Sequence, residues 1–141
     1  MKMVLGIFFY SRIIHLISRR RDKILKIPIN NIGGEVVKDN ETYLLKDNKL
    51  LKNLVVSSTL LQPEKETRGH SHDGQEEVYF FQYGYGEMTL GDETFPVTGG
   101  EVVLIPDGVF HKVKNTWKHP LYFVCVFDGR RKELDYNKCD K

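Results

Sequence analysis

From residue 24 onward, short runs of β-branched and aromatic residues are separated by clusters of Gly, Asn and Asp, the pattern of an all-β sandwich or barrel. The runs predict strands over 24–29, 42–45, 54–61, 77–82, 87–90, 94–97, 102–105, 110–114 and 121–127. Asn30 to Gly34 reads as a loop, and Lys46-Asp47-Asn48-Lys49 as a turn between polar hairpin arms. An apolar strand ending at Ile105 runs into Pro106-Asp107-Gly108, where Pro sets the first backbone angle and Gly supplies an unusual one. In the strand that leaves this turn, a period of two puts Val109, His111, Val113 and Asn115 on one face and Lys112 and Lys114 on the other. Lysines belong in water, so His111 faces inward.

Ahead of the strands, residues 3–18 are apolar but broken by Arg12 and His15, and Arg19-Arg20-Arg21 follows. A basic cluster after the apolar stretch, with no small-residue cleavage site beyond it, is not the pattern of a signal peptide. On helical spacing Ser11, Arg12, His15, Ser18 and Arg19 gather on one side, as in a short amphipathic helix. An oligomer contact or a leader outside the domain is the expectation for this segment, and contact with a membrane surface is the alternative. The chain thus divides into an apolar-basic segment (1–23), a β domain (24–128) and a charged tail (129–141).

The 141 residues suffice for one domain with a hydrophobic core. Apolar content of 40% and charged content of 28% are ordinary for a globular protein, and no stretch reaches the roughly 18 uninterrupted apolar residues of a membrane span. The net charge of +2 conceals +5 in residues 1–23 and −3 in the remainder. The main body therefore lacks the clustered cations of a nucleic-acid surface. Two cysteines, Cys125 in an apolar run and Cys139 in a polar tail, make no disulfide framework. A reducing cytoplasm is expected, with Cys125 as a small buried hydrophobe.

The chemistry centres on Gly69-His70-Ser71-His72-Asp73-Gly74-Gln75-Glu76-Glu77-Val78-Tyr79. Two histidines two apart can project from one face of a strand. The Asp73-Gly74 turn resets the alternation, so that the returning strand can bring Glu77 beside them, with Glu76 as the competing carboxylate nearer the turn. His111 is the candidate fourth ligand. Three imidazoles and a carboxylate suit one divalent transition metal, whether Fe, Mn, Ni or Zn, and leave positions open if the ion is five- or six-coordinate.

These residues resemble both motifs of the cupins, small double-stranded β-helix barrels of the jelly-roll type. His70, His72, Glu77 and Gly84 meet the first motif, and Gly100, Pro106, Gly108, His111 and Asn115 the second. The likeness extends over about 54–127, with one departure: where the family usually carries Gly six residues before the first His, Glu64 follows Pro63. The resemblance implies His70, His72, Glu77 and His111 as metal ligands and a homodimer as a frequent assembly.

A narrower resemblance links Thr67-Arg68-Gly69-His70-Ser71-His72 and Glu77-Val78-Tyr79, with Thr59 and Pro63 upstream, to the archaeal cupin-type glucose-6-phosphate isomerases. That family has a longer gap between the second His and the Glu. The likeness implies sugar-phosphate contacts from Thr67, Gly69 and Tyr79. Arg68 shares the parity of His70 and His72, so its guanidinium could meet a phosphate at the cavity mouth. Aldose–ketose isomerisation passes through an enediol whose charge a metal can stabilise, with Glu77 and Tyr79 as the candidate catalytic groups. Two alternatives use the same ligands. One is an Fe(II) dioxygenase, whose apolar pocket Tyr79, Phe80, Phe81, Tyr83, Tyr85, Phe110 and Trp117 would help to line; the other is a non-catalytic metal- or sugar-binding module.

Deleting residues 1–22 should leave the protein's partitioning between membrane and supernatant in a lysate unchanged. A shift away from the membrane fraction would establish the membrane alternative.

Overall fold

Nine strands organise residues 25–130, the part of the chain described by the computed structural model. They are β1 (Glu35–Asp39), β2 (Tyr43–Asn48), β3 (Leu54–Leu61), β4 (Glu77–Tyr83), β5 (Tyr85–Leu90), β6 (Glu93–Thr98), β7 (Val102–Ile105), β8 (His111–Asn115) and β9 (Leu121–Asp128). All pairings are antiparallel, in a six-stranded sheet ordered β1-β2-β3-β9-β4-β7 and a three-stranded sheet ordered β6-β5-β8. No helix occurs among the described residues, and none long and apolar enough to cross a membrane.

The last strand in sequence lies in the middle of the larger sheet, and its composition explains how. Leu121 to Phe127 is an unbroken apolar run, suited to a strand covered on both faces. On the inner side Leu121, Phe123 and Cys125 join the main core with Leu61, Phe81, Met88 and Val113. On the outer side Tyr122 and Val124 are covered by Ile32, with Val56 and Leu60 beside them. The Tyr122 hydroxyl donates to the Ile29 carbonyl at 2.7 Å, and Asn48 Nδ2 donates to the Ile32 carbonyl at 2.7 Å.

This strap corrects two expectations. The predicted strand over 24–29 does not form within the described residues, from Leu25 onward. Pro28 lacks the N–H a ladder needs, and its carbonyl accepts from Asn31 N–H in a turn instead. The first strand is β1, ten residues later, with a bulge between Val36 and Lys38. The predicted turn at Lys46-Asp47-Asn48-Lys49 is also wrong, since β2 runs through Asn48 and pairs Asp47 with Ser57 and Asn48 with Val56. Polar residues there signal a turn only when water satisfies them. Both are buried, and Asn48 finds Ile32 and the Leu50 N–H as partners. The other seven predicted strands form within two residues of their expected ends. The 1–23 segment and nearly all of the charged tail lie outside the described residues.

Two further positions settle what the loops look like. Glu64, at the site where a glycine was expected, has φ 61° and is the non-glycine residue with positive φ among those described. The left-handed conformation is retained without the glycine, at a cost of about 1–2 kcal/mol. Asn115, wholly buried at the end of β8, binds three carbonyls through Nδ2: those of Leu61 and Gln62 at 3.1 Å and of His119 at 2.8 Å. Its Oδ1 accepts from Trp117 N–H at 2.8 Å. One side chain thereby pins the end of β3 to the loop between β8 and β9.

Asn115→Ala strands these groups in the interior and should cost about 3 kcal/mol or more, read as a lowered denaturant midpoint. A loss below about 1 kcal/mol would show that water replaces the side chain.

Candidate metal centre

The centre forms where two turns clasp each other. Gly74 N–H donates to Asp107 Oδ1 at 2.6 Å, and Gly108 N–H donates to the His72 carbonyl at 3.0 Å. Gly74 and Gly108 have φ of 78° and 74°, which favours glycine at both turns. Beside them His70, ahead of the first turn, and His111, after the second, exchange two backbone hydrogen bonds, of 3.1 and 2.9 Å. His70 therefore sits in an isolated bridge, and His72 in the loop that follows, rather than both on one strand face as expected. Their rings still converge, with centroids 4.2 Å apart and the His111 ring 4.5 Å from that of His70.

Glu77, the first residue of β4, completes the group. Its Oε1 is 3.2 Å from His72 Nε2 and its Oε2 3.4 Å from His111 Nε2. One donor atom from each of His70, His72, Glu77 and His111 lies within 4.8 Å of all the others, close enough to hold one metal ion. Glu76, the competing carboxylate, is exposed.

The donor chemistry suits a cation. His111 Nδ1 is 3.0 Å from the Val109 carbonyl, which can only accept, so the ring proton belongs on Nδ1. Nε2 then faces the Glu77 carboxylate, buried and without a hydrogen-bond partner. Burial opposes ionisation of Glu77, yet the contacts and charge of His111 and His72 more than offset it and lower its pKa to about 2. A buried carboxylate flanked by imidazole nitrogens is a donor set that a cation between them would stabilise.

The remaining candidates surround a cavity of about 140 Å³ that opens beside the cluster. Tyr79 lines it, buried edge-on to His111 at 5.7 Å and stacked on Phe123 at 5.2 Å. Burial, with Cys125 and Glu77 nearby, pushes its hydroxyl pKa well up, so it stays protonated and acts as a donor. Burial likewise pushes up the Cys125 thiol, in keeping with a small hydrophobe. Arg68 is exposed and lines the cavity. Thr67 lines it too, but its Oγ1 accepts from Val113 N–H at 3.0 Å and its N–H donates to Val113 O, which ties the loop to β8. Gly69 has φ 80°, and a Cβ there would come within 2.6 Å of the Phe110 ring, which accounts for the glycine without a ligand. Of the seven aromatics expected around an apolar pocket, Tyr79 alone lines the cavity; Tyr43, Phe123 and Phe127 supply the other aromatic walls.

Sequence reasoning missed Asp107, whose carboxylate ties the two turns, and the polar wall of Lys38, Asp47 and Ser57. Asp107 had a visible signal, as the polar residue of a Pro-Asp-Gly turn. Asp47 had none, because its burial depends on strands far away in sequence.

A family model for the cupin domain matches residues 58–127. Those residues are a cupin domain. An uncharacterised protein of Methanocaldococcus jannaschii is 29% identical over 94 residues, 59% of this chain and 75% of that protein. An oxalate-binding protein of Thermotoga maritima is 26% identical over 108 residues, 76% and 89% of the two chains. The crystal structure of a Klebsiella pneumoniae protein with a double-stranded β-helix domain superposes with a TM-score of 0.60 at 20% identity, over 66% of this chain and 82% of that one. The cupin fold places its two motifs, around 70–84 and 100–115, against each other across the barrel, so their histidines meet although 39 residues separate His72 from His111.

Elemental analysis should find one divalent transition metal per chain. His72→Ala and His111→Ala should each lose it while retaining the fold by circular dichroism. Stoichiometric metal in either variant would remove that residue from the site.

Proposed function

We propose that this cupin holds one divalent transition metal at His70, His72, Glu77 and His111 and binds a small organic anion against it through two neighbouring oxygens. The observation that carries this reading is that His70, His72 and Glu77 of the cluster open onto a cavity that Arg68 and Lys38 also line. A bound divalent ion supplies Lewis-acid charge to ligand oxygens. The chain's own groups do the rest. Arg68 offsets the ligand's charge at the mouth, Tyr79 donates a hydrogen bond, and Phe123 and Phe127 keep water from one wall. The name of the Thermotoga maritima relative, an oxalate-binding protein, supports a carboxylate as the group that binds.

Aldose–ketose isomerisation of a sugar phosphate is the second reading, favoured by the position of Thr67-Arg68-Gly69 along the same cavity. It makes the same demand for two neighbouring oxygens. Its weak point is the base, since Glu77 is engaged by two histidines and Tyr79 stays protonated.

Calorimetric titration of the metal-loaded protein with oxalate should show saturable one-to-one binding that His111→Ala abolishes. Interconversion of fructose and glucose 6-phosphates, followed by NMR on the same metal form, would establish the second reading. If oxalate does not bind and no hexose phosphate turns over, both readings fall.

A further inference from the structure

The cavity extends well beyond the four candidate ligands, across the inner face of the larger sheet. There Tyr79 of β4, Cys125 of β9, Ser57 of β3 and Asp47 of β2 are register partners in one continuous row, and all four line the cavity. Thr59, two residues along β3, lines it in the next row. Asp47, Ser57 and Thr59 are 3%, 3% and 5% exposed, so their polar groups are withdrawn from bulk water. Leaving such groups without partners costs about 1–3 kcal/mol each, and a barrel interior can be filled without them. Farther along the same inner face Leu61 and Leu121 do so, both wholly buried.

The polar row is also organised. Ser57 Oγ donates to the Lys46 carbonyl at 3.2 Å, which fixes its hydroxyl beside Asp47, its register partner, where it favours the ionised carboxyl. Burial raises the Asp47 pKa, against the hydrogen bond from Ser57 and the charge of Lys49, while Glu35 raises it further. Lys38 lies over the Tyr43 ring, 5.3 Å from its centroid, at the same end of the cavity.

Distance decides what could use this wall. Asp47 lies on β2 and Glu77 on β4, with β3 and β9 between them. Three steps of about 4.8 Å separate the two strands by roughly 14 Å before sheet curvature and the reach of the side chains are subtracted. Oxalate held at the histidines is too short to bridge that gap. A longer chain with hydroxyl groups along it is matched to the wall: a carboxylate accepts from hydroxyls, and Ser and Thr hydroxyls both accept and donate.

We propose that Asp47, flanked by Ser57 and joined by Thr59, forms a hydroxyl-recognising subsite, and that the ligand of this cupin is a polyhydroxylated monocarboxylic acid reaching from the histidine cluster to that wall. The proposal rests on the reading that an anion binds at the cluster, and it names the rest of that anion. Lys38 lines the same end, but a ligand hydroxyl can both donate to and accept from the Asp47 and Ser57 side chains, which a second carboxylate cannot, so this wall suits a hydroxylated monoacid better than a long dicarboxylate.

The test compares oxalate, glycolate and a series of aldonates from glycerate to gluconate, titrated calorimetrically into the metal-loaded full chain and its Asp47→Asn and Ser57→Ala variants. Glycolate offers the same carboxylate and adjacent hydroxyl as the aldonates without their further hydroxyls. At least one four- to six-carbon aldonate should bind ten times or more tighter than glycolate. In Asp47→Asn the ratio of that aldonate's affinity to that of oxalate should fall at least tenfold, and Ser57→Ala should lower it by a smaller factor. Metal content and the thermal midpoint, measured in parallel, report whether each variant is folded. The subsite is overturned if no aldonate exceeds glycolate, or if Asp47→Asn weakens oxalate and aldonate equally. Failure of oxalate and glycolate to bind at all, in wild type, would instead overturn the reading of the cluster.

Discussion

The hydrogen bond from His111 Nδ1 to the Val109 carbonyl sets the protonation of a ring on which the interior of this barrel depends. With the proton held there, Nε2 faces a buried carboxylate oxygen at 3.4 Å and has no hydrogen-bond partner of its own. A cation is the natural complement to such a pocket. The neighbouring structure serves to keep these groups together. The two turns that precede β4 and β8 grip each other through Asp107 and the His72 carbonyl, and His70 and His111 are locked by paired backbone bonds.

Polarity changes along the barrel in a way that follows from this centre. One part of the interior is filled by Leu61, Phe81, Met88, Val97, Val113 and Leu121, an apolar cluster that carries most of the burial energy. The part nearer the cluster carries Glu77, Tyr79, Cys125, Ser57 and Asp47 on the inner face of the larger sheet. The strap at Ile32 and the Asn115 hub stiffen the outer face and the loop ends, where little else would hold them. Stability and chemistry thus occupy different regions of one barrel.

Much of the fold was legible along the chain because strands and turns leave local marks. A period of two placed His111 inward and Lys114 outward, and the structure has His111 buried and Lys114 exposed. The turns at Asp73-Gly74 and Pro106-Asp107-Gly108 stand where glycine and proline predict them. Of the two candidate carboxylates, Glu76 was placed nearer the turn, and it is exposed where Glu77 is buried. The misreadings share a cause. Residues 25–29 have the composition of a strand but cross the outer face as a strap, and Asp47 and Asn48 have the composition of a turn but end a buried strand. In both cases distant partners, Tyr122 for the strap and Ser57 and Ile32 for the strand, outweighed local propensity.

By itself the sequence determined the all-β class, most strand positions, the two glycine turns and four residues of metal-binding type at cupin spacing, since each depends on the chemistry of a residue and its near neighbours. Only the tertiary structure decided which nitrogen of His111 faces Glu77, that Thr67 and Gly69 serve the backbone around them, and that Asp47 faces the same cavity as the histidines. Those facts rest on hydrogen bonds and strand pairings between segments remote in the chain, such as His70 with His111 and Asp47 with Ser57, and such pairings exist only once the two sheets have closed.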